Sequence, residues 1–133
     1  MIKKIIYAVI FFAAFISCDN AAKTTPVTDT DVATAFIRAV LDNDFKTAEK
    51  YLLKDETNLQ YFESFQHQYK LKNSNELEKY KSADIIINSL ASLSDTTIIN
   101  YSNSYEKNSK TKIKLVRSNG QWLIDLKYTF AEN

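Results

Sequence analysis

The chain has 133 residues, with 17 Lys and Arg against 16 Asp and Glu, 45% hydrophobic and 13% aromatic residues, and one each of Cys, Gly and Pro. The balanced charge leaves no broad basic field for nucleic acid, and the apolar content excludes a disordered polar chain. A single cysteine excludes an internal disulfide, and a single glycine excludes a glycine-rich phosphate loop.

Residues 1–17 read as an export signal. Lys3 and Lys4 form a basic start, and Ile5 to Ile16 give twelve apolar residues, fewer than the roughly 20 a spanning helix needs. Phe15-Ile16-Ser17-Cys18 then resembles the bacterial lipobox. The resemblance implies transfer of diacylglycerol to the Cys18 sulfur, cleavage between Ser17 and Cys18, and N-acylation with a fatty acid such as palmitate. Removing 17 of 133 residues leaves 116, enough for one domain, with 15 basic against 16 acidic residues.

Residues 18–28 are expected to be the lipidated cysteine and a flexible tether, small, polar and broken by Pro26. Asp19 resembles the inner-membrane retention signal of enterobacterial lipoproteins, and the acidic cluster that exports other lipoproteins to the cell surface is absent. The expected location is a membrane of the bacterial envelope, facing the periplasm.

The domain itself is expected over residues 29–130, with 131–133 as a tail. Thr28 with Asp31 three positions on forms a variant capping box, and Val32, Phe36 and Val40, widened by Ile37 and Leu41, give residues 30–42 one apolar face. Asp42-Asn43-Asp44 stops that helix. Asp44 can cap a second short one whose apolar positions are Phe45, Ala48, Tyr51 and Leu52. A third helix, residues 57–71, carries Leu59, Phe62, Phe65 and Tyr69 on one side. Asn73 to Lys81 is polar, with one helical turn over Glu76 to Tyr80.

The periodicity then changes to that of strands. Ala83–Leu93 and Thr96–Glu106, separated by Ser94-Asp95, predict an antiparallel pair of unreadable register, because Ile85, Ile86 and Ile87 are consecutive. Asn119-Gly120 between two alternating runs predicts a type I′ hairpin. Pairing Ser118 with Gln121 sets Arg117 against Trp122, Leu115 against Ile124, Ile113 against Leu126 and Thr111 against Tyr128 on the core face. On the reverse face Lys114 meets Asp125, and Lys112 meets Lys127 unfavourably. Arg117 over Trp122 fits a cation–π contact or simple rim packing.

The expected fold is α+β, three N-terminal helices packed on a curved four-stranded antiparallel sheet. FIRAVLDNDFKTAEKYL at Phe36 to Leu52 resembles a signature of small bacterial lipoproteins with a nuclear transport factor two-like, cystatin-like fold, and KIKLVRSNGQWLIDL resembles their terminal hairpin. That family, once labelled lumazine-binding-like and of unassigned function, would cover Thr28 to Phe130.

The residues do not assemble into a catalytic set. His67, the one histidine, falls among Gln66, Gln68 and Lys70 on the polar side of its helix. A metal needs three or four ligands, so no metal or cofactor is expected. Asp42, Asp44, Asp55 and Glu56 fall near helix ends, where carboxylates act as caps and dipole partners. The expected function is therefore that of a non-catalytic envelope lipoprotein, held to the membrane through the lipid on Cys18 and binding a protein or peptide partner through its sheet or an exposed strand edge. A first alternative is a small-ligand binder with a cone pocket lined by Phe62, Phe65, Tyr69, Tyr101, Tyr105 and Trp122. A second is an isomerase-like enzyme in that pocket. Asn100 to Lys110 reads either as a recognition surface or as the solvated end of two strands; the oligomeric state stays open.

Overall fold

A computed structural model describes residues 26–131, so the expected export signal, Cys18 and most of the expected tether lie outside the described residues. Helix α1 (Asp29–Leu41) starts where the sequence predicts. The Thr28 hydroxyl accepts from the Asp31 N–H at 3.1 Å, and the Asp31 carboxylate accepts from the Thr28 N–H at 3.3 Å, closing a capping box. Asn43, at φ 60°, turns the chain through the left-handed region, and Asp44 caps α2 (Phe45–Ala48). A 3-10 turn (Glu49–Tyr51) leads to Leu52, which bridges Ile124, while the Leu53 N–H donates to the Ile124 carbonyl at 2.9 Å.

Helix α3 (Glu56–Lys70) is capped by Asp55. Asn73, accepting from the Glu76 N–H at 2.9 Å, caps α4 (Ser74–Lys81), so the single expected turn is a helix of two turns. The cap outweighs a polar sequence because Tyr80 buries itself against Tyr69 at 5.6 Å and so gives α4 an anchor in the core. Among the described residues four helices precede the sheet rather than three, and a fifth follows it.

The sheet is an antiparallel meander of β1 (Ile85–Leu93), β2 (Thr96–Asn103), β3 (Thr111–Ser118) and β4 (Gln121–Asp125), in that spatial order. Strand β2 ends at Asn103, short of the expected Glu106, because the Asn103 side chain accepts from the N–H groups of Tyr105 and Glu106 and bends the chain away. A bulge at Asn88 resolves the isoleucine run. Ile85 and Ile87 stand opposite Asn103 and Tyr101, while Asn88 reaches Asn100 at 3.3 Å and Ser102 at 3.2 Å.

The hairpin forms as read: Ser118 opposite Gln121, Arg117 opposite Trp122, Leu115 opposite Ile124 and Lys114 opposite Asp125. Asn119 at φ 49° and Gly120 at φ 75° supply its turn. The Arg117 guanidinium lies 5.8 Å from the Trp122 ring centroid. The pairing stops there, however. Ile113 with Leu126 and Thr111 with Tyr128 do not form ladder pairs, because β4 ends at Asp125 and the chain turns into α5 (Lys127–Ala131). Asp125 turns its carboxylate to the Lys127 N–H at 3.2 Å rather than to Lys114, and the Lys127 ammonium binds Asp55 instead of opposing Lys112.

One side of the meander carries the core. Ile99 faces Ile113 across β2 and β3, Leu115 faces Ile124 across β3 and β4, and Phe36, Ile37 and Val40 of α1 pack with them. Each such side chain contributes about 1.5–3 kcal/mol on burial. Where α1 meets the sheet, the Thr97 hydroxyl donates to Asp29 at 2.5 Å, which holds the Asp29 carboxyl below its usual range despite partial burial.

Strand β4 is shielded by Leu52 and Leu53, leaving β1 as the open edge of the sheet among the described residues. Ile87, Leu90 and Leu93 are exposed there, Leu93 at 76%.

Candidate functional site

The sheet and the helices do not close completely over one another. Between α3, α5 and the β2–β3 surface lies a cavity of about 460 Å³, in the range that holds small organic ligands. Phe65 and Gln68 of α3 form one wall, Tyr101, Thr111 and Ile113 of the sheet the opposite one, and Phe36 and Leu126 the floor. Tyr128, Thr129 and Phe130 of α5 complete it, with Lys110 and Lys112 on the same lining.

This last wall depends on interactions that chain-order reasoning does not reveal. Phe130 stacks on Tyr61 at 5.2 Å and tilts against Phe65 at 6.3 Å. The Thr129 hydroxyl donates to the Lys112 carbonyl at 2.8 Å. Asn58, wholly buried in the first turn of α3, accepts from the Leu126 N–H at 2.8 Å and donates to Asp55 at 3.0 Å. Asp55 also receives the Lys127 ammonium, whose hydrogen bond, with that of the Asn58 N–H, holds the carboxyl below its usual range. The first turn of α3 therefore fixes where β4 ends and α5 begins.

A second cavity, of about 240 Å³, shares Phe65, Gln68, Tyr101 and Thr111 with the first and runs on toward α4. Three tyrosines, Tyr69, Tyr80 and Tyr101, line it together with Lys72 and Glu106. Burial pushes the Tyr101 phenol up to about 12 against a hydrogen bond with Thr111, and raises those of Tyr69 and Tyr80. All three are neutral hydroxyls at ordinary pH. Lys72 donates to Glu76 at 2.8 Å and to the Tyr80 oxygen at 3.3 Å; these bonds outweigh the opposing effect of burial and raise its pKa.

Of the six aromatics expected to line a pocket, the structure brings three together. Phe65 and Tyr101 line both cavities and Tyr69 lines the smaller. Phe62 is instead core, 6.5 Å from Phe36 and 5.7 Å from Phe45. Tyr105 is exposed and packs edge-on to Tyr80 at 5.1 Å, and Trp122 stays with Arg117 in the hairpin. Sequence reasoning missed Phe130 and Gln68. The aromatics of Tyr128 and Phe130 after the hairpin were the available signal, but a continuing strand accounted for Tyr128 equally well.

The charged residues hold to simpler roles. His67 is exposed on α3; Asp44 and Asp55 are helix caps; Asp42 pairs with Arg38 at 3.1 Å. Among the described residues no group of three or more His, Cys, Asp or Glu could hold a metal ion. No described helix is long and apolar enough to cross a membrane.

The layering of helices on one face of a curved antiparallel meander is that of the NTF2-like fold. A crystal structure from Campylobacter jejuni, named an NTF2-like transpeptidase, superposes with a TM-score of 0.54 at 16% identity, covering 71% of this chain and 94% of that one. At that identity the likeness shows the fold alone. No family model and no curated protein matches the chain.

Proposed function

We propose that this chain is a lipoprotein of the bacterial envelope, anchored through Cys18, whose NTF2-like domain binds a small amphipathic molecule without transforming it. The observation that carries this is the cavity of about 460 Å³, which the protein's own aromatics line but do not fill. Its walls are mixed, with rings and aliphatic side chains in nearly equal measure with hydroxyls, amides and two lysines, a composition suited to an amphipathic ligand. The charged side chains on this lining are Lys110 and Lys112, set beside the hydroxyls of Tyr101, Thr111, Tyr128 and Thr129.

The test is binding of N-phenyl-1-naphthylamine, a neutral dye that fluoresces in apolar surroundings. The full-length protein should bind it saturably, and Gln68→Trp, placing bulk at the shared mouth, should abolish the saturable part while leaving the fold intact. Wild-type signal no greater than that of the blocked variant would sink the reading.

The exposed apolar edge of β1 favours a second reading, in which a protein or peptide partner adds an extended strand to the sheet. Leu90→Lys puts a charge on that edge without touching the cavity. A partner captured by the wild type and lost by this variant supports the edge as its site; retention of the partner rejects it.

A further inference from the structure

Three parts of the chain meet at one end of the sheet. The β1–β2 turn lies beside the β3–β4 hairpin there, because Thr96 stands opposite Val116 and the Arg117 N–H donates to the Asp95 carbonyl at 2.9 Å. The start of α1 is clasped to the same end, where the Asp29 carboxylate accepts from the Thr97 hydroxyl at 2.5 Å and from the Ser92 hydroxyl at 3.3 Å. The described chain therefore enters the fold beside these two turns, while the connection from β2 to β3, carrying Tyr105, lies at the opposite end.

The side chains shown at the entry end suit the boundary between water and lipid. Leu93, Thr96, Val116 and Leu123 are successive ladder partners and form one row across all four strands. The neighbouring row holds the buried Thr97, Leu115 and Ile124, so the Leu93 row faces away from the core. Leu93 is 76% exposed, and Val27, just before the α1 cap, is exposed to the same extent. Arg117 and Trp122 stand one position further out. Tryptophan favours the headgroup layer, and arginine can bury its stem while its charge reaches out to phosphates.

We propose that this end of the domain is a membrane-contacting surface, seated on the bilayer that holds the lipid of Cys18. This rests on the lipoprotein reading above and is independent of ligand binding. The length of the preceding chain selects the bilayer as occupant. Eleven residue steps separate Cys18 from the clasped Asp29, which a flexible coil covers in about 18 Å on average. The eight residues of β2 carry the chain about 25 Å from this end of the sheet to the other. A lipid on Cys18 thus keeps the Leu93 end near the headgroups and the Tyr105 end away from them, and the exposed apolar side chains gain by leaving water.

Trp122 is the only tryptophan of the chain, so its fluorescence reports on this end alone. The lipidated protein in phosphatidylcholine vesicles should lose emission when the acyl chains carry bromine, a short-range quencher. Leu93→Asp, at an exposed position, should be quenched less while remaining vesicle-bound. Trp122→Phe combined with Tyr105→Trp moves the reporter to the far end, where brominated lipid should have no effect. Wild-type emission indifferent to bromine, equal quenching at the two reporter positions, or Leu93→Asp quenched as fully as wild type each overturns the inference while leaving the anchor in place. A wild type that carries no lipid mass and stays off the vesicles rejects the anchoring reading, and this surface with it.

Discussion

Asn58→Ala is expected to lower the free energy of unfolding by about 2–3 kcal/mol, the cost of leaving a buried polar group without its partner. The Leu126 N–H lies where the β4 ladder has ended and before α5 can accept it, so the Asn58 side chain is its partner, at 2.8 Å. Both residues are buried, Asn58 completely and Leu126 at 2% exposure, so water cannot take over without opening the structure. The same substitution removes a donor from Asp55, weakening the carboxylate that also receives Lys127. Urea unfolding at neutral pH measures the loss, with exposed Thr57→Ala as a control expected within about 0.5 kcal/mol of wild type. A shift for Asn58→Ala as small as the control's would show that the bond between α3 and β4 contributes little.

The largest change in behaviour is expected from Cys18→Ser. If the lipobox reading is right, the native chain carries three acyl chains on this residue. Each buried methylene contributes about 0.8 kcal/mol, and one chain alone gives only marginal, reversible binding. Three chains should therefore hold the protein in the membrane fraction until detergent is added, with the corresponding lipid mass on its N-terminal peptide. Cys18→Ser should lose that mass entirely and leave Ser17 joined to the rest. Intact-mass measurement of both forms decides the matter; an unlipidated wild type would remove the anchoring proposal and leave the fold and its cavities as they are.

The parts of the fold legible in the sequence are those governed by local rules. Thr28, Asp31 and Asp44 act on neighbours three residues away, and Asn119-Gly120 requires left-handed backbone that few other pairs tolerate. The hairpin register followed because a slip would have turned Leu115 and Ile124 outward. The misreadings share a different origin. Alternation alone continues β4 through Tyr128, but Asn58, 68 residues upstream, binds the Leu126 N–H on the edge of β4 away from β3, beside the Ile124 carbonyl that Leu53 holds, and the chain turns into α5 there. Tertiary competition of this kind leaves no trace in a local pattern. The candidate site suffered the same way: Phe62 and Phe65 belong to one helical stripe and both meet Phe45, at 5.7 and 5.9 Å, yet the first is enclosed in the core and the second lines the cavity.

Helix α5 has five residues, far too few to hold a helical shape in water by themselves. The wall it forms is thus borrowed from α3, through the ring stack of Phe130 on Tyr61 and the Lys127 contact with Asp55. Tyr128, Thr129 and Phe130 are only half-buried and stand apart from the fully enclosed side chains of the sheet. On the binding proposal, selectivity would be written in these five residues of α5 and foldability in the enclosed side chains of the meander.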